Sequence, residues 1–150
     1  MLLKKIYQHI IKGSWEIKKM YLTAFFYSLY IRFCMLFVRY KRYESTMGSR
    51  GKIISYIELS PIQFQQIKLV KTVVLANSKY TPWESKCMVQ ALSAKWLLKK
   101  YNIPSTIYFG VTKDEENLGK LKAHAWLKVN ETFITGALGH KKFKVVNFYS

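Results

Sequence analysis

Trp83-Glu84-Ser85-Lys86-Cys87-Met88-Val89-Gln90-Ala91-Leu92 is the stretch on which the reading of this chain turns. Thr81-Pro82 stands just before Trp83. A residue ahead of proline avoids the helical region, so Tyr80–Trp83 reads as a short extended connection. Glu84-Ser85 then opens a helix. Its apolar stripe runs through Met88, Ala91, Leu92 and Leu98, widened by Ala94 and Trp96. Lys99-Lys100-Tyr101-Asn102 closes it. Cys87 therefore falls in the first turn, where free backbone N–H groups and the positive end of the helix dipole gather. Both favour a thiolate, and the same N–H groups are natural donors to an oxyanion. Lys86 adds positive charge beside the thiol. A cysteine on a helix is equally at home as a small buried residue, so the rest of the chain has to decide.

Downstream, Ile103-Pro104 turns the chain into Ser105–Val111, short and rich in β-formers. Lys113–Lys120 is a polar loop. Ala123–Val129 is a second strand, Asn130-Glu131 turns it back, and Thr132–Thr135 is a third. Gly136–Lys142 is a loop before a last strand, Phe143–Phe148. Strand alternation puts His124 on one face with Trp126 and Lys128, and Ala123, Ala125 and Leu127 on the other. Small residues on both sides of His124 leave room for its ring to face a neighbouring helix end. A cysteine on a helix start with a histidine on a later strand is an acyl-transfer arrangement, recognised by geometry and not by chain order. The competing reading is a hydrogen-bonded core histidine. His9 and His140 read as surface histidines, and Cys87, His124 and His140 lack the paired spacing of a zinc site. No metal or cofactor is expected.

Upstream, Ser60-Pro61 is a helix start, with Ser60 as cap and Pro61 in the first turn. Apolar residues recur at Ile67, Val70 and Val74, and Asn77-Ser78 ends the helix. Residues 2–42 read as mostly helical, interrupted at Gly13-Ser14, with Ser14 capping the second helix. Arg39, Lys41 and Arg42 suit its C-terminus. Thr46–Gly51 is a loop. Helices first and an antiparallel sheet after them make an α+β fold. The division expected is an N-terminal helical, partner-docking region over 1–58 and a catalytic domain over 59–150.

The chain has 150 residues, half of them hydrophobic, which argues against a disordered chain. Its 25 Lys and Arg against 8 Asp and Glu give a net charge of +17. Such a surplus favours an anionic partner. No block of five like charges exists, which argues against nucleic acid. Two cysteines make no disulfide framework, and Cys34 reads as a plain buried thiol. The start does not resemble a cleavable signal, and a reducing, cytoplasmic setting is expected. Met20–Val38 nearly has the length of a membrane span. Arg32 inside it, and five Tyr, Thr and Ser residues, favour a helix docked on a protein partner over a span.

Trp83-x3-Cys87-x3-Ala91-Leu92, Leu97-Leu98-Lys99-Lys100, Ile103-Pro104, Gly110-Val111, Ala123-His124-Ala125-Trp126 and the closing Phe143–Phe148 strand together resemble the transglutaminase-like cysteine proteases of lasso peptide biosynthesis. The resemblance implies a transglutaminase-like (papain-like) fold, with the nucleophile at a helix N-terminus packed on an antiparallel sheet. It implies a leader peptidase in the split, protease-only form, with Cys87 as nucleophile and His124 as base. Its partners would be the precursor peptide, a leader-recognition protein and the lasso cyclase. The family often carries an Asp about twelve residues after the histidine. Here that position is Gly136. A hairpin centred on Asn130-Glu131 would pair Leu127 with Ile134 and bring Gly136 near His124, so His124 is left to a backbone carbonyl or to an amide such as Gln90. Gln90 is itself a departure, since relatives frequently have Arg there. Two rivals remain: a non-catalytic basic module that binds a peptide or membrane surface, and a transglutaminase proper, which differs in the acceptor that resolves the thioester.

Overall fold

The structure, a computed structural model, describes residues 13–115, 117 and 119–150. The expectation for residues 2–12, and His9 with it, lies outside that range. Among the described residues four α-helices precede a four-stranded antiparallel sheet: α1 (Trp15–Phe37), α2 (Tyr40–Glu44), α3 (Pro61–Asn77), α4 (Cys87–Lys100), then β1 (Thr106–Lys113), β2 (Leu121–Val129), β3 (Thr132–Thr135) and β4 (Lys144–Tyr149). Strand order is β3-β2-β1-β4. This is the α+β arrangement expected from the element order.

Local chemistry sets the helix limits. The Ser60 hydroxyl accepts from the Gln63 N–H while the Gln63 side chain accepts from the Ser60 N–H, a complete capping box with Pro61 at the first helical position. Ser14 stands at the cap position of α1 but makes no side-chain hydrogen bond there. α1 ends at Phe37, short of the basic cluster. Val38 and Arg39 are extended, and Lys41 and Arg42 fall in the short α2 instead.

The core lies between the helices and one face of the sheet. α1 contributes Met20, Ala24 and Ile31; α3 contributes Ile67, Val70, Val73 and Val74; the sheet contributes Ile107, Ala125, Leu127, Val129 and Ile134. α4 is central, packing on α1, α3 and the sheet. Its stripe is accordingly wider than expected: Val89, Ser93 and Leu97 are buried along with Ala91, Leu92, Ala94 and Leu98.

Lys95 is buried in the same helix. Its ammonium donates to the carbonyls of Ser105 and Tyr149. Burial, helped by the charge of Lys99, lowers its pKa from 10.5 to about 8. Between those values the unfolded chain holds a proton that the folded chain has released, so this group makes stability rise with pH across that window. Relative to Lys95→Met, wild-type stability should climb by up to about 3 kcal/mol from pH 8 to 10.5. Denaturant unfolding of both proteins along that pH series measures the slope, which is independent of any constant cost of the substitution.

Candidate active site

Cys87 is the first residue of α4, with Lys86 at the cap position. The helix thus starts two residues later than Glu84-Ser85, and those two belong to the loop. The first intrahelical bond runs from the Gln90 N–H to the Lys86 carbonyl. The N–H groups of Cys87, Met88 and Val89 are left without intrahelical acceptors, and no side chain caps this end.

The loop before Cys87 is held from several sides. Trp83 packs on Phe25 of α1, ring centroids 4.9 Å apart. Arg32 of α1 pairs with Glu84 at 3.3 Å. The Thr81 and Ser85 hydroxyls are 2.8 Å apart. The Gln90 amide donates to the Ser85 carbonyl at 2.9 Å. Gln90 therefore braces the loop before Cys87 and does not orient His124. Lys86 also differs in role: it pairs with Glu84, and this contact, with a smaller contribution from Arg32, holds the Glu84 carboxyl below its ordinary range.

His124 lies on β2, half-buried, opposite Gly110 of β1. Its ring sits between Phe143 and Trp126, at centroid distances of 5.0 and 5.8 Å. Its Nε2 lies 2.9 Å from the Gly136 carbonyl oxygen. A carbonyl only accepts, so Nε2 carries the proton and donates; in the neutral ring the lone pair is then on Nδ1. Gly136, where the resemblance would place a carboxylate, thus holds His124 with its backbone.

The expected pairing of Leu127 with Ile134 is shifted. Leu127 pairs with Thr135, and Lys128 with Phe133, because a bulge inserts Ile134 between them. The extra residue bends the strand. Gly136 follows with φ +71. A Cβ there would lie 2.4 Å from the Ala125 carbonyl oxygen and 2.7 Å from the Trp126 Cβ. Only glycine fits this approach.

Cys87 and His124 line one open groove of about 580 Å³, together with Lys71, Leu75, Thr135 and Leu138. Among the described residues no hydrogen bond joins the thiol to the imidazole. Such contacts are often long without substrate and tighten when it binds. The Thr135 hydroxyl is buried without a partner among the described residues. His140 does not line the groove. It is half-buried, bonded through Nδ1 to the Ala137 carbonyl at 2.6 Å and packed on Phe133. Cys34 is a buried free thiol in α1.

Gly110 controls the imidazole's neighbours. A Cβ on it would lie 2.8 Å from the Phe143 Cβ and 2.9 Å from the Trp126 ring. Gly110→Ala should therefore push both rings that flank His124. Overpacking of this kind costs about 1–3 kcal/mol. A chemical-denaturation midpoint should show that loss.

A thiol at a helix start and a strand histidine lining one groove, beside helices packed on an antiparallel sheet, are the parts a Cys-His acyl-transfer site would use. Residues 37–147 match the family described as Transglutaminase-like superfamily. The chain belongs to that superfamily, whose members are generally cysteine proteases or transglutaminases. No curated protein and no solved structure gives a significant match.

Proposed function

We propose that this chain is a cytoplasmic cysteine protease that cleaves the leader from a ribosomally made lasso peptide precursor, with Cys87 as nucleophile and His124 as base. The observation that carries the chemistry is the shared groove, with His124 Nε2 bound to the Gly136 carbonyl. The leader-peptidase assignment is supported by the resemblance in Trp83–Val111 and Lys122–Phe148.

In this mechanism His124 Nδ1 takes the Cys87 proton. The sulfur attacks the carbonyl carbon at the leader–core junction, and its π electrons move to the oxygen. The free N–H groups at the start of α4 stabilise that oxyanion, each such donor being worth about 2.7–4 kcal/mol in comparable sites. The tetrahedral species collapses, the C–N bond breaks, and the imidazolium returns its proton to the departing amine. His124 then activates water, which adds to the thioester and releases the acid and the thiol. The groove's mixture of apolar Leu75, Ile134 and Leu138 with Lys71 and Lys86 suits an extended peptide carrying acidic and apolar side chains.

A leader-recognition protein would present the precursor, and the cyclase would receive the core. Incubating the purified chain with a candidate precursor, with and without a leader-recognition protein, tests the proposal by mass spectrometry. Two fragments whose masses sum to the precursor plus one water support it. An intact precursor under both conditions contradicts it, and loss of ammonia would assign a transglutaminase.

A further inference from the structure

The two faces of α1 differ sharply. Met20, Ala24, Ser28, Ile31 and Cys34 are buried against the rest of the fold. On the opposite side Trp15, Leu22, Phe26, Leu29, Phe33 and Leu36 are exposed, with Tyr30 and Phe37 beside them. At about 100° per residue these positions fall within a stripe roughly 120° wide. Phe37 is 73% exposed and Trp15 69%. After Lys19 no charged residue lies on this stripe until the helix ends. The one charge between, Arg32, is turned aside to Glu84. A soluble monomer rarely leaves so long an apolar surface open without a use for it.

We propose that this face of α1 docks on an anionic membrane surface, the helix lying in the plane of the bilayer. Charge complementarity selects this occupant. The chain carries +17, and basic residues bracket the stripe: Lys18 and Lys19 at its start, Arg39, Lys41 and Arg42 just beyond its end. Exposed Trp, Phe and Leu with Lys and Arg at both ends of the stripe combine apolar area with attraction to anionic lipid, the two terms that set binding at a membrane interface. The same surplus charge opposes a second copy, because pairing two stripes would bring both sets of cations together.

The fold also decides between lying on a membrane and crossing it. α1 is long and apolar enough to span by length and composition alone. Its inner face, however, is part of the core. The Asn77 amide donates to the Tyr21 carbonyl at 3.2 Å, and Phe25 holds Trp83. A spanning helix would have to abandon these contacts and strip the loop that carries Cys87. Docked in the plane, α1 keeps them all and leaves the groove open to solvent.

Vesicle co-sedimentation of the full chain tests this, using phosphatidylcholine vesicles with and without phosphatidylglycerol. The comparison variant is Phe26→Ser/Phe33→Ser, whose exposed substitutions should leave the thermal melt intact. Wild type should bind the anionic vesicles, with a blue shift in tryptophan emission, and bind neutral ones far less. The double variant should bind at least about tenfold more weakly. Equal binding by wild type and variant would reduce the effect to adsorption by charge alone and overturn the proposal. So would absence of binding, or a dimer or a stable complex with a leader-recognition protein that the variant abolishes while vesicles go unbound.

Discussion

Replacing Cys87 with alanine is expected to abolish peptide cleavage and leave the fold in place. The thiol sits half-buried at the first helical position, and alanine there keeps the helix start and loses little packing. The stability change should stay within about 1 kcal/mol. Catalysis should fall by a factor on the order of a million, because a nucleophile and its base act as a unit. His124→Ala should cost a comparable amount, and the double variant little more than either alone. Steady-state rates on a candidate precursor, alongside thermal melts, measure all three. Cleavage at the wild-type rate by Cys87→Ala would remove the thiol from the chemistry.

The second large effect belongs to a residue without a side chain. Gly136→Ala should destabilise the protein and impair catalysis by more than the stability loss explains. A left-handed backbone costs a residue with a Cβ about 1–3 kcal/mol. The added atom would also press on the Ala125 carbonyl and Trp126. Both belong to the strand that carries His124, and the Gly136 carbonyl that receives its Nε2–H must move. Misplacing a catalytic group by about an ångström can cost on the order of a hundredfold in rate. Gly136→Asp is the sharper case. Supplying the carboxylate that the resemblance would place here should fail to improve activity, since the same backbone and the same clash oppose it. An active, stable Gly136→Asp protein would show that the carbonyl contact is dispensable.

Much of this was legible in the residues, and the reasons are local. Ser60-Pro61 and Asn77-Ser78 bracket α3 because capping chemistry is written in adjacent side chains. Thr132–Thr135 and the strand around His124 follow from alternation beside an Asn-Glu turn, with Asn130 at φ 49. The less legible features depend on partners distant in sequence. Lysine is ordinarily a surface residue, yet Lys95 is buried because α4 is surrounded and the carbonyls of Ser105 and, from the far end of the chain, Tyr149 accept its hydrogen bonds. The bulge at Ile134 leaves no mark on a short hydrophobic strand. The start of α4 at Cys87 is set by the loop contacts of Gln90, Thr81 and Arg32. The orientation of His124 was narrowed by the sequence to a carbonyl or an amide, and only the packing of Gly136 over Ala125 selects the carbonyl. The signal available for that choice was the glycine itself, at a place where a side chain was expected.

The proposed activation of the Cys87 thiol by His124 can be read without knowing the precursor. Iodoacetamide labelling near neutral pH, followed by intact mass and peptide mapping, reads it directly. Wild type should gain a single adduct at Cys87, with buried Cys34 untouched, and His124→Gln should label at least about tenfold more slowly, because a proton-accepting partner near neutral pH is what general-base activation requires. Equal labelling rates in the two proteins, or first modification at Cys34, would contradict the pairing of Cys87 with His124.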